Sequence, residues 1–143
     1  MKHCKKFFYS LLLAVVLASC TNYGKKTKSG PVEVYYKDGI EEKEAQATAD
    51  FLAMIDKTQN GNTTEKKSFQ LCKKDGEVCL RMVAIKEKLA GISDTAFLAI
   101  SNMVSEEVFK GNPVNIELTN NKFETFKSFP YKKLDLESLP NPQ

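Results

Sequence analysis

Asp75-Gly76, with Phe69 and Leu71 alternating before it and Val78, Leu80 and Met82 alternating after it, restricts this chain more than any other feature. A two-residue turn of this kind needs positive φ at both positions, and it joins strands that must lie side by side and antiparallel. Lys74 then faces Glu77, Lys73 faces Val78 and Cys72 faces Cys79. Because side chains alternate along a strand, the apolar set takes one face and Gln70, Cys72, Cys79 and Arg81 take the other.

The remaining elements arrange themselves around this hairpin. Val32-Glu33-Val34-Tyr35-Tyr36 is β-branched and aromatic, and Lys37-Asp38-Gly39 ends it with a turn. Ala45, Ala49, Leu52 and Ile55 recur every three or four residues behind Glu41, Glu42 and Glu44, which predicts a helix beginning near Ile40. Asp56 to Lys67 reads as a polar loop. A second helix follows Ser93 or Asp94, with Phe97, Ile100, Val104 and Val108 as its apolar stripe, and stops at Gly111-Asn112-Pro113. Val114, Ile116 and Leu118 form a strand, Asn120-Asn121 turn the chain, and Phe123 to Phe129 form a last strand whose spacing is not cleanly two. The order β-α-β-β-α-β-β predicts an α+β fold, an antiparallel sheet with two helices on one face, in a ferredoxin-like (split βαβ) variant. A single domain over 32–131 is expected, with 132–143 a frayed tail ending in Pro140-Asn141-Pro142-Gln143.

The first twenty residues say where such a domain is sent. Lys2, His3, Lys5 and Lys6 precede an apolar run from Phe7 to Ala18, the pattern of a secretory signal peptide over 1–19. The run is too short for a spanning helix, which needs roughly 20 apolar residues. Leu17-Ala18-Ser19-Cys20 resembles the lipobox of bacterial lipoproteins, and the resemblance implies that Cys20 becomes the acylated N-terminus and holds the protein on a membrane. Thr21 stands where Asp would retain a lipoprotein at the inner membrane, and 21–28 lack acidic residues, which by the same resemblance implies the outer membrane, facing the periplasm. Residues 20–31, rich in Lys, Ser, Thr and Gly, read as a lipidated Cys and a flexible tether. The stretch Tyr35-Tyr36-Lys37-Asp38-Gly39, followed by a Glu-rich helix start and Ala45, resembles small Bacteroidota lipoproteins over residues 32 to 129 and implies no activity.

Composition narrows the chemistry. Three of the 21 basic residues precede Cys20, so 18 basic side chains face 18 acidic ones beyond it, and a neutral chain has no electrostatic reason to grip nucleic acid. Removal of the signal peptide takes the only His, His3, and with it the usual general base and metal ligand. No catalytic residue, metal site or cofactor is therefore expected. Asp94-Thr95-Ala96 resembles the short O-glycosylation pattern of Bacteroidota exported proteins, but Asp94 and Thr95 also suit a helix start. Cys72 and Cys79 would lie about 4.5 to 5.5 Å apart at Cα, within disulfide range, and an exported location permits the bond. With Val34, Leu71, Leu80 and Ile116 turned toward the helices, the opposite face collects Glu33, Tyr35, Gln70, Arg81, Asn115 and Glu117. That face is expected to be open and partly wet, with Tyr35 and Arg81 as anchors for a partner. The functional expectation is a non-enzymatic, lipid-anchored envelope module that binds an envelope protein or glycan. The alternatives are a small envelope enzyme using carboxylates and a thiol-disulfide protein using Cys72 and Cys79.

Overall fold

The computed structural model describes residues 22–138. Six strands form one sheet in chain order: β1 (Lys25–Ser29), β2 (Val32–Tyr36), β3 (Lys67–Lys74), β4 (Glu77–Val83), β5 (Val114–Thr119) and β6 (Thr125–Phe129). Helix α1 (Glu42–Asn60) connects β2 to β3, and α2 (Asp94–Phe109) connects β4 to β5. The hairpin has the expected register, with Cys72 opposite Cys79 and positive φ at both Asp75 and Gly76. Glu41 caps α1, its backbone N–H donating to Glu44 Oε2 at 2.8 Å in a reciprocal box. The helix outruns its apolar stripe to Asn60, because Asp56 turns inward and pairs with Lys67 at the start of β3.

The chain is α+β, but the sheet is mixed rather than antiparallel. β2 pairs with β3 in parallel, as β4 does with β5, while the other three pairs are antiparallel. The expected element order is present from Val32 to Phe129; the expected split is not. A split βαβ unit holds another strand between the two that a helix joins, whereas here α1 and α2 each join neighbours.

That difference has a geometric consequence. Thr27 on β1 touches Gln46 of α1, and Phe129 on β6 stacks on Phe97 of α2 at 4.9 Å. Thr27 pairs with Val34 and Phe129 with Ile116, and the registers carry Val34 through Phe69 and Met82 to Leu118, so both helices cover the same face. Both crossovers step the same way across the sheet, yet β2 and β4 point in opposite directions. The two crossovers therefore have opposite hands, and one of them departs from the right-handed rule that holds in about 98% of cases. A split arrangement would reverse one step and let both be right-handed.

The apolar layer between sheet and helices contains Val34, Leu71, Leu80 and Ile116, all fully buried as the alternation required, packed against Ala45, Ala49 and Leu52 of α1 and Phe97 and Val104 of α2. β6 pairs with β5 across a bulge at Leu118/Thr119, and the extra residue explains why its apolar spacing departs from two.

Two boundaries differ from expectation. Residues 25–29 were expected in a tether, but they form β1, paired along the free edge of β2 across the Gly30-Pro31 turn, so backbone pairing supplies the order that the polar side chains do not advertise. Beyond Pro130, Asn102 of α2 donates to the Lys132 carbonyl and accepts from the Leu134 N–H, at 2.8 and 2.9 Å, which ties down a stretch expected to fray. Residues 1–21 and 139–143, with the expected signal peptide, Cys20 and the terminal Pro residues, lie outside the described residues. Asn102→Ala should cost about 1 kcal/mol in denaturant unfolding, since it removes the bonds to the part-buried Lys132 carbonyl and Leu134 N–H. Amide exchange should accelerate at Leu134.

Candidate functional site

The four residues singled out within the domain, Tyr35, Cys72, Cys79 and Arg81, share the sheet face turned away from the helices, because Tyr35 pairs with Gln70 and Gln70 with Arg81, and the pair Cys72 and Cys79 lies two residues along the same strands. That face is not open. Glu33, Gln70 and Glu117 are only 3%, 1% and 8% exposed, which corrects the expectation of a partly wet surface.

The cover is made by Tyr23 and Phe123. Their rings meet each other at 5.3 Å and Tyr35 at 5.9 and 5.6 Å, all edge to face, an arrangement that suits the charge distribution of aromatic rings. Tyr23 is fixed by its carbonyl, which accepts from Gln70 Nε2 at 2.8 Å. Gly24 next to it has φ +96°, and a Cβ there would collide with the Tyr36 carbonyl, so only glycine lets the chain turn off the face into β1.

Beneath the rings runs a polar ladder. Arg81 donates from Nη1 to Gln70 Oε1 and from Nε to Glu117 Oε2, both at 2.9 Å. Glu117 also accepts from Lys74 at 2.5 Å and from Thr125 at 2.6 Å. Burial by itself would raise the Glu117 carboxyl, but the bonds from Lys74, Thr125 and Arg81 prevail and hold its pKa at about 2. Arg81, its side chain 16% exposed, is thus committed to an internal network rather than offered to a partner, and Tyr35 is committed to the aromatic cluster.

Glu33 forms a second centre. Lys66 approaches Oε2 at 2.8 Å, and Lys28 and Lys26 approach Oε1 at 3.1 and 3.4 Å. Burial again opposes ionisation, and the three ammonium groups outweigh it, so this carboxyl also sits at about 2.

Cys72 and Cys79 lie one step along the strands from Gln70 and Arg81, both buried. They are free thiols here, so the expected disulfide is not closed in this structure; closing it removes two protons and two electrons and needs an oxidant. Hydrogen bonding from the Cys79 thiol lowers the Cys72 pKa below the ordinary thiol range, against burial and the charge of Glu117 and with help from Arg81 and Lys74. Cys79 is pushed up by the same pairing and by burial. Of the two, Cys72 is the sulfur favoured for ionisation.

Tyr23, Phe123 and the lysines around Glu33 were not recognised as site residues from sequence. One local signal existed for Tyr23, the lone aromatic in a stretch of Lys, Ser, Thr and Gly.

Residues 26–128 match the model of AF_1994_N, a family N-terminal domain. No curated protein and no solved structure matches the chain.

Both carboxyls have folded pKa values near 2 against an ordinary 4.5, so their contribution to stability is complete above about pH 5.5 and is lost as pH falls toward 2. With half-exposed lysines as partners, each should contribute about 1 to 2 kcal/mol. Urea midpoints measured from pH 7 to pH 2 should decline chiefly below pH 4.5, and Glu117→Gln should flatten the decline. Alkylation across a pH series followed by peptide mass analysis should show Cys72 reacting at lower pH than Cys79.

Proposed function

The chain belongs to the AF_1994_N family, by a match that runs from β1 to β6, and on that premise we propose that it is a lipid-anchored, non-catalytic module of the bacterial cell envelope. In this reading acylated Cys20 holds the domain on the periplasmic side of the outer membrane, where it engages an envelope protein or glycan.

The observation that carries the non-catalytic reading is the closure of both buried carboxylates. A general acid or base works best with a pKa near the operating pH, and Glu33 and Glu117 sit near 2, each surrounded by cations that it also holds in place. Their chemistry is structural: each neutralises lysine or arginine charge inside the sheet face. The anchoring part of the proposal is supported by the lipobox ending at Cys20, immediately before the first described residues.

A second reading, thiol-disulfide exchange, is favoured by the directly opposed Cys72 and Cys79 and by the low pKa of Cys72. Both sulfurs are buried, however, and exchange with a protein substrate requires one of them to be attacked in line by an incoming thiolate. The binding-module reading therefore stands first.

Cys20→Ser should leave the protein either unprocessed or released from the membrane fraction, and the wild-type N-terminal peptide should carry the mass of its acyl chains. An unmodified Cys20 in membrane-derived protein would overturn the anchoring reading.

A further inference from the structure

Two features of the polar sheet face lie outside the internal ladder: where the N-terminal chain leaves it, and how charge is divided between its two sides. Asn22-Tyr23-Gly24 crosses the face instead of departing from the sheet edge. The Tyr23 carbonyl is held over β3 by Gln70, and the Tyr23 ring sits against Tyr35 and Phe123. Tyr23 itself therefore lies on the side opposite both helices. Cys20 is three residues from Tyr23, a span of at most about 11 Å.

Charge is divided along the same axis. On the polar face Lys26, Lys28, Lys74 and Arg81, with Lys66 beside them, stand against Glu33, Glu77 and Glu117, whereas Lys25, Lys67, Lys73 and Lys127 lie on the helix side. The two helices carry two Lys against seven Asp or Glu. Even while paired with Glu33, the side chains of Lys28 and Lys66 remain 59% and 62% exposed at the rim of the polar face.

Resting on the lipid-anchor reading, we infer that the polar sheet face is the membrane-facing side of the domain and docks on an anionic phospholipid surface, with both helices turned away. Acyl chains on Cys20 fix the chain at the interface, and three residues of reach keep this face against it. Lysine ammonium groups at its rim attract phosphate headgroups, while the acidic helices are repelled, and the tyrosines over the face suit the headgroup zone. The reverse orientation would bring Glu42, Glu44, Asp50, Glu106 and Glu107 of the helices to the anionic surface.

The chain has no Trp, so a single introduced Trp reports its own position. Full-length acylated protein would be floated with vesicles of phosphatidylcholine and phosphatidylglycerol containing a lipid brominated near the headgroup. Two variants would be compared: Tyr35→Trp on the polar face and Met54→Trp, 56% exposed on α1. Should Tyr35→Trp fail to fold, Glu77→Trp, exposed at the rim of the same face, takes its place. Quenching in the sheet-face variant should exceed that in the helix variant at least about twofold, and the contrast should shrink in pure phosphatidylcholine or high salt. Equal quenching, stronger quenching from α1, or a contrast indifferent to lipid charge and salt would overturn the docking. Protein that carries no acyl mass and does not float overturns the anchor, and this inference with it, whereas floated acylated protein without the contrast overturns the docking alone.

Discussion

A ladder of charged and polar groups buried across one face of the sheet sets the register of every element that touches it. It runs from Lys74 and Thr125 through Glu117 to Arg81, on to Gln70, and ends at the carbonyl of Tyr23. Removing a carboxylate from water costs several kcal/mol unless it is paired and its lone pairs are filled, so such a ladder adds little net stability over an apolar core of the same shape. Its effect is on alternatives. A one-residue slip of β5 would carry Glu117 into the apolar layer and Ile116 out of it, leaving an unpaired charge among Leu71, Leu80 and Val104. The ladder makes wrong registers costly.

The two faces of the sheet solve different problems. The apolar face is covered by both helices, and it takes both only because one crossover has the uncommon hand. That leaves the other face with no helix, and a sheet of this size with Cys72, Cys79, Gln70 and Thr119 on that side needs some cover for its buried groups. Three aromatic rings and a short N-terminal arm provide it, with Gly24 allowing the arm to turn back into the edge strand. The N-terminal segment is thus part of the packing, and the anchor proposed at Cys20 is joined almost directly to the folded domain.

The thiol pair is tied to the same layer. The bond from Cys79, with Arg81 and Lys74 nearby, lowers the Cys72 pKa, while burial and the charge of Glu117 oppose the shift. Ionised groups and thiols meet on this face, while the helices pack on the other.

The sequence by itself determined the hairpin at Asp75-Gly76, the facing of Cys72 and Cys79, both helices, and which residues share a face, because turn chemistry and the periods of strand and helix are local properties. It also carried the signal peptide and lipobox pattern, which are read linearly. It did not reveal β1, since Lys25-Lys26-Thr27-Lys28-Ser29 has no apolar alternation and is a strand only because β2 offers it a free edge. Nor did it reveal that the strands flanking each helix are neighbours, because the choice between inserting a strand and placing it alongside depends on contacts among residues far apart in the chain. Alternation placed Glu33, Tyr35, Arg81 and Glu117 on one face correctly but was silent on what lies over them. Tyr23 and Phe123 reach that face from opposite ends of the domain, and only the assembled sheet brings the two rings together and turns a surface into an interior.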